Sequence, residues 1–159
     1  MTVVADAGPL LHAHWVGASA WALPRGPIYV VPEVWLEVQR NDAGALRYPC
    51  LRRVPSVPIS RSVAAYKLDA GETEALSYAV AQAGPGPALV LCDELAARRA
   101  CVKLGIAVVG TIGLVAFAYR SGRIGHGMAV ATLRRLPTEG RLHVAESLIE
   151  QAVSDLDLP

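Results

Sequence analysis

Lysine, cysteine and long apolar runs are scarce in this chain, and each shortage excludes something. Only Lys67 and Lys103 are lysines among the 15 basic residues, and the formal net charge is +1. A polycation that coats nucleic acid through bulk charge is therefore excluded. Cys50, Cys92 and Cys101 are odd in number and show no Cys-x-x-Cys spacing, which argues against a disulfide framework or a structural zinc site. Cys92 and Cys101 read as small core residues of a strand and a helix. The charge-free segment Leu104 to Tyr119 contains Gly105, Gly110 and Gly113 and is too short to span a bilayer. No basic region precedes the first apolar stretch, and Asp6 interrupts that stretch early. A signal peptide and a membrane partner are not expected, and the cytoplasm is the expected compartment. Gly-x-Ser-x-Gly is missing, Asp6-Ala7-Gly8 lacks the second aspartate of a dehalogenase-type phosphatase, and Gly84-Pro85-Gly86-Pro87 precedes a strand rather than following one. Serine hydrolases, aspartyl phosphatases and dinucleotide binding are thereby set aside.

What is present is an alternation of apolar strands and amphipathic helices. At 159 residues, 53% hydrophobic and with a mean hydropathy of +0.35, residues 1–159 read as one domain whose sheet is covered on both faces. Strands are expected at Thr2 to Ala5, Ile28 to Val31, Ala88 to Cys92 and Ile106 to Val109. Helices are expected at about Leu10 to Trp15, from Pro32 through Val38, from Ser60 or Ser62 through Leu68, and after Gly71. Further helices follow at Leu95 to Leu104, Ile112 to Arg120, Met128 to Leu136 and Arg141 to Val153. Asn41 to Pro58, with Pro49, Pro55 and Pro58, reads as an irregular connection. This order predicts a three-layer α/β/α fold around a parallel sheet.

Carboxylates end the strands or open the helices. Asp6 and Asp93 follow separate apolar strands, and the carboxyl edge of an open α/β sheet is where sites form. Glu72 and Glu74 are two apart on a helix and point in nearly opposite directions. Glu72 aligns with Leu76 and Ala79 and is assigned to the pocket, whereas Glu74 aligns with Ser77, Tyr78 and Ala81, a more exposed or interfacial row, and is the second choice. Glu37 is less determined by spacing, although its helix follows a strand and would turn it inward. Several carboxylates without companion histidines or thiolates select a hard cation, Mg²⁺ or Mn²⁺. Phosphodiester hydrolysis is the chemistry most often run at such a centre.

VVADAGPLL, VVPEVWLEV, LDAGETEALSYA and LVLCDELAARRACVKLGIAVVGTIGLV, in that order over residues 2–122, resemble the PIN-domain nucleases. The resemblance is to the prokaryotic branch similar to the ribonuclease toxins of toxin–antitoxin pairs, and 123–159 would add C-terminal helices. It implies a PIN-like α/β/α fold and a metal-dependent nuclease in which Asp6, Glu37, Glu72 and Asp93 are the catalytic and metal-holding acids. Thr111 matches a supporting hydroxyl near the pocket. The chain departs from the pattern at Gly8, where many relatives carry Ser or Thr, and at Glu94, where a second aspartate is usual.

The function expected is an Mg²⁺- or Mn²⁺-dependent ribonuclease, with a protein antitoxin as a partner and a homodimer as the assembly. Arg98, following Asp93 by just over one helical turn, and the pair Arg52 and Arg53 are the candidate RNA contacts, since arginine forks suit phosphate oxygens. The alternative is a non-catalytic module of the same fold that binds RNA or a protein. His12 and His14 invite a zinc reading, but residues two apart on a helix diverge. Trp15, Trp21 and Trp35 border apolar stretches and read as packing residues more than as base-stacking ones.

Overall fold

The computed structural model describes residues 1–84 and 86–158. Its first half runs β1 (Thr2–Ala5), α1 (Ala7–Trp15), α2 (Ser19–Ala22), β2 (Ile28–Val30), α3 (Pro32–Asp42), a 3-10 turn (Ala43–Arg47) and β3 (Leu51–Arg53). Then come α4 (Arg61–Ala64), α5 (Ala70–Ala83), β4 (Ala88–Leu91), α6 (Leu95–Lys103), β5 (Ala107–Val109), α7 (Thr111–Arg120), α8 (His126–Arg135) and α9 (Glu146–Asp155). The strands form one all-parallel sheet in the order β3-β2-β1-β4-β5. Strand order reverses beside β1, which creates a crevice at the carboxyl ends of β1 and β4.

Register fixes which residues meet there. Ala5 lies opposite Leu91, and Leu91 opposite Val109. The pairing continues past the strands, as Asp6 N donates to Leu91 O at 2.9 Å and Cys92 N to Val109 O at 3.0 Å. Val3 and Leu89 share an apolar cavity with Ala22 of α2 and Leu114 of α7. Val4 and Val90, of the opposite parity, point to the other face, where α5 packs on β1 and β4. Two layers of helices thus sandwich the sheet, and Val4, Val30 and Val90 are completely buried between them.

Several boundaries differ from those the sequence predicts. Helix α1 begins at Ala7, not Leu10, with Asp6 at its N-cap; Gly8 and Pro9 are accommodated because the first turn has no intrahelical use for a proline N–H. Residues 41–58 are not an irregular connection throughout: α3 reaches Asp42, and β3 pairs with β2. Strand β3 is an edge strand that buries Leu51 and exposes Arg52 and Arg53, so its pattern is short and is masked by Pro49 and Pro55. Helix α4 stops at Ala64. Gly71 does not separate two helices but lies in the first turn of α5, which Asp69 caps. Arg141 to Ala145 precede α9 instead of belonging to it; Arg141 adopts φ 55, and Leu142 N returns to Leu136 O at 2.9 Å. Pro85, in the Gly-Pro stretch expected to end α5, lies outside the described residues.

Of the two placements open for the row of Glu74, exposed or interfacial, the structure shows the second, with Glu74 only 5% exposed. It accepts from Glu33 N at 2.9 Å and from Ser56 Oγ at 2.6 Å. A carboxylate at the open N-terminus of α3 satisfies a donor that has no intrahelical partner and meets the positive end of the helix dipole. Glu74 therefore fastens α5 to α3 and to the segment after β3, away from the crevice acids. Both of its partners donate, and an amide offers only one oxygen. Glu74→Gln is expected to cost about 1–3 kcal/mol of stability in chemical denaturation, while Mn²⁺ binding by calorimetry stays unchanged.

Candidate metal centre

Parity along the strands sorts the acids. Asp6 is two residues beyond Val4, and Cys92 two beyond Val90, so both continue the face that α5 covers. Helix α5 meets them with Glu72. One oxygen each of Asp6 and Glu72 and the Cys92 sulfur lie within 4.8 Å of one another, and all three residues are buried. Glu72 is held there by a capping box, in which Glu72 N donates to Asp69 Oδ1 at 2.8 Å and Asp69 N to Glu72 Oε2 at 3.2 Å. Capping fixes the first turn of α5 and hence the height of Glu72 above the sheet.

Glu37 of α3 and Asp69 complete the acidic wall of a cavity of about 250 Å³ that Asp93 and the exposed Glu94 also border. Gly71 lets Glu37 approach, as a Cβ at that position would stand 3.3 Å from Glu37 Oε2. Leu142 and His143, from the segment before α9, also line the cavity.

Asp93, one residue past Cys92, turns the other way. Its Oδ1 accepts from Thr111 N at 2.7 Å, and its Oδ2 from the Thr111 hydroxyl at 2.6 Å. His12 Nδ1 is 2.9 Å from the same Oδ2. Thr111, fully buried at the start of α7, and α1 thus clamp this carboxylate. Gly110 belongs to the clamp too. A Cβ there would stand 2.6 Å from Asp93 Oδ1, so the reason for glycine is space.

The electrostatics follow from burial. Burial pushes the Asp6 carboxyl up to about 7 from 3.8; the Ala7 N–H opposes this, and Glu37, Glu72 and Asp69 add to it. Glu37 is raised by burial and by Asp69 against the pull of Arg40. Glu72 is raised by burial and then by Asp69, with smaller contributions from Glu94 and Glu37. Among the described residues no Arg or Lys lies within 4.0 Å of Asp6, Glu37 or Glu72. Buried carboxylates without a cationic side chain ionise together only when a cation joins them. The oxygens of Asp6, Glu72 and Glu37 are the ligand type of a hard divalent ion. Burial and the nearby Asp6 also raise the Cys92 thiol far above its ordinary range. It is a neutral neighbour of the site and a poor ligand for such an ion.

The sequence-derived candidates for RNA contact separate in space. Arg98 borders a larger cavity of about 490 Å³ that shares Asp93, Glu94, Leu142 and His143 with the acidic one. Its Nη1 donates to Cys92 O at 3.1 Å. Arg52 folds back onto Pro49 O at 2.7 Å and Leu51 O at 2.8 Å, and Arg53 lies over the Trp35 ring at 5.9 Å. Neither borders the acidic cavity.

Sequence reasoning passed over Asp69, Cys92 and His12 as site residues. Asp69 had a signal in the Asp-x-x-Glu spacing of a capping box, and His12 in its position four after Gly8, on the same helical face. Cys92 had only its adjacency to Asp93. His14, as expected for a residue two away, diverges from His12 and faces Asp42 at 3.5 Å.

A family model described as a PIN domain matches residues 2–157. No curated protein and no solved structure matches the chain significantly.

The raised Asp6 pKa gives pH-dependent stability a definite sign. The folded protein holds a proton on Asp6 that the unfolded chain releases near 3.8, so metal-free stability falls as pH rises from about 4 through about 7. Complete ionisation would cost on the order of 4 kcal/mol. Thermal unfolding across that range is expected to show the decline, Mn²⁺ to reverse it most strongly above pH 7, and Asp6→Asn to flatten it. Cys92→Ser should bind Mn²⁺ within a few-fold of the unaltered chain in calorimetry, since a neutral thiol contributes little to a hard ion.

Proposed function

The chain belongs to the PIN-domain family, and from that premise we propose that it is a divalent-metal-dependent endoribonuclease hydrolysing phosphodiester bonds of single-stranded or structured RNA. PIN domains are generally nucleases that act on nucleic acids and use divalent metals. The observation that carries the reading for this chain is the meeting of Asp6, Glu37 and Glu72 in one cavity without a cationic side chain.

In this reading Asp6, Glu72 and Glu37 hold Mg²⁺ or Mn²⁺ through carboxylate oxygens. The bound ion supplies positive charge that activates a water and offsets charge on the phosphodiester. Asp93, fixed by Thr111, borders the same cavity and completes the acidic set. Glu94 stands at the rim as a supporting acid. Arg98 borders the adjoining cavity, where a guanidinium suits a backbone phosphate. Leu142 and His143 line the same cavity. A role as the toxin of a toxin–antitoxin pair, with a protein that blocks this cavity, is supported by the sequence resemblance.

Asp6→Asn, Glu72→Gln and Asp93→Asn are each expected to lower cleavage of single-stranded RNA in Mg²⁺ or Mn²⁺ by more than about 100-fold, beyond the 10–100-fold typical of losing an outer-shell partner. Chelation should abolish cleavage, and induction of the unaltered chain should slow growth where the variants do not. Cleavage that persists in Asp6→Asn or with chelator overturns the assignment. An unaltered chain that binds RNA but never cuts it leaves the binding-module reading in its place.

A further inference from the structure

We infer that His12 is a positioning residue for the Asp93 carboxylate, seated in the space that glycine leaves open at position 8. The inference rests on the reading of Asp93 as an acid of the metal centre. Gly8 and His12 are four apart on α1 and therefore share a face. A Cβ on Gly8 would meet His12 Cε1 at 3.4 Å and Asp93 Oδ2 at 3.6 Å. The imidazole thus lies where a side chain at position 8 would otherwise reach the carboxylate.

The contact is a hydrogen bond. His12 Nδ1 is 2.9 Å from Asp93 Oδ2, which also accepts from the Thr111 hydroxyl; in the tautomer with its proton on Nδ1 the ring donates to the same oxygen. Thr111 supplies the other two bonds to Asp93, both from the start of α7. Bonds from a single residue leave the carboxylate held from one direction, and His12 closes the other from α1.

The imidazole is itself held. Its ring packs against Trp15 with centroids 6.1 Å apart. Trp15 Nε1 donates to Asp42 Oδ2 at 3.1 Å, and the Arg141 guanidinium lies over the Trp15 ring at 4.6 Å. Arg141 leads directly into Leu142 and His143 at the cavity wall. The orientation of Asp93 is therefore set by α1, α7 and the segment before α9 together, which is how outer-shell partners ready an acid for an ion.

The test uses the full chain with Mn²⁺ alone as probe, calorimetry for affinity, and metal-free thermal unfolding to verify the fold. His12→Ala is expected to weaken Mn²⁺ binding by roughly 10- to 100-fold. His12→Asn, whose amide offers a donor near the Nδ1 position, should recover most of that loss. Gly8→Ser combined with His12→Ala should recover it too, because a hydroxyl on that Cβ comes within reach of Asp93 Oδ2. A merely structural histidine would not be rescued from a different position. Unchanged affinity in His12→Ala, or no recovery in both rescue variants, overturns the proposal. Asp93→Asn separates the two readings: if it weakens binding while His12→Ala does not, only the role of His12 falls. If Asp93→Asn binds Mn²⁺ as the unaltered chain does, the metal-centre reading of Asp93 falls with it.

Discussion

Like charges do not gather in a low-dielectric crevice unless something else holds them there. Two ionised carboxylates with oxygens within 4.8 Å of each other, as those of Asp6 and Glu72 are, repel by at least about 3 kcal/mol at an effective dielectric of 20. Glu37 and Asp69 add to the burden. The backbone supplies the restraint: the ladder that continues through Asp6 and Cys92, and the capping box that fixes Glu72. These bonds form with or without an ion. The protein therefore keeps its acids in place, and burial, with the neighbouring carboxylates adding to it, holds a proton on Asp6 to about pH 7. A cation that binds here exchanges for a proton, so the fold and its ligand are linked through one carboxylate.

The same constraint explains how neighbouring acids come to do different work. Glu72 and Glu74 are both buried on α5, yet only Glu72 faces the crevice. Glu74 accepts two donors from outside it and acts as a tie between α5 and α3. Asp6 and Asp93 diverge for an analogous reason. Asp6 continues the parity of its strand toward α5, whereas Asp93 comes one residue later than the matching position and turns to α1 and α7. A single-residue offset at a strand end therefore separates an acid that faces its own kind from one that is clamped by donors.

Much of this was legible in the sequence because strand-end acids and helix stripes are local signals. Asp6 and Asp93 follow apolar strands, and Glu72 shares a stripe with Leu76 and Ala79, so their convergence at one sheet edge follows from period and order alone. Period alone left the row of Glu74 open between exposed and interfacial, because it reports which face a residue takes, not what lies opposite. Here α3 and Ser56 lie opposite, and their proximity depends on β3, itself hidden between prolines. His12 was set aside for want of metal-ligand spacing, but its partner is a carboxylate 81 residues away. Such a pairing is set by strand order, which brings α1 and β4 together only after folding.

The centre then divides into a half that is already satisfied and a half that is not. Asp93 receives three donated hydrogen bonds from Thr111 and His12, and Gly110 is kept small so that they can form. Among the described residues Asp6 has no cationic side chain nearby, and Glu37 has only the more distant Arg40. A site made only of satisfied acids would bind no ion, and one made only of unsatisfied acids would not hold its shape. Placing the two kinds on adjacent parities of one sheet edge meets both needs. Rigid geometry comes from the α1 and α7 side, and residual negative charge from the α3 and α5 side. The crevice beside β1 is where these four helices converge, which locates the chemistry at the reversal of strand order rather than at any single motif.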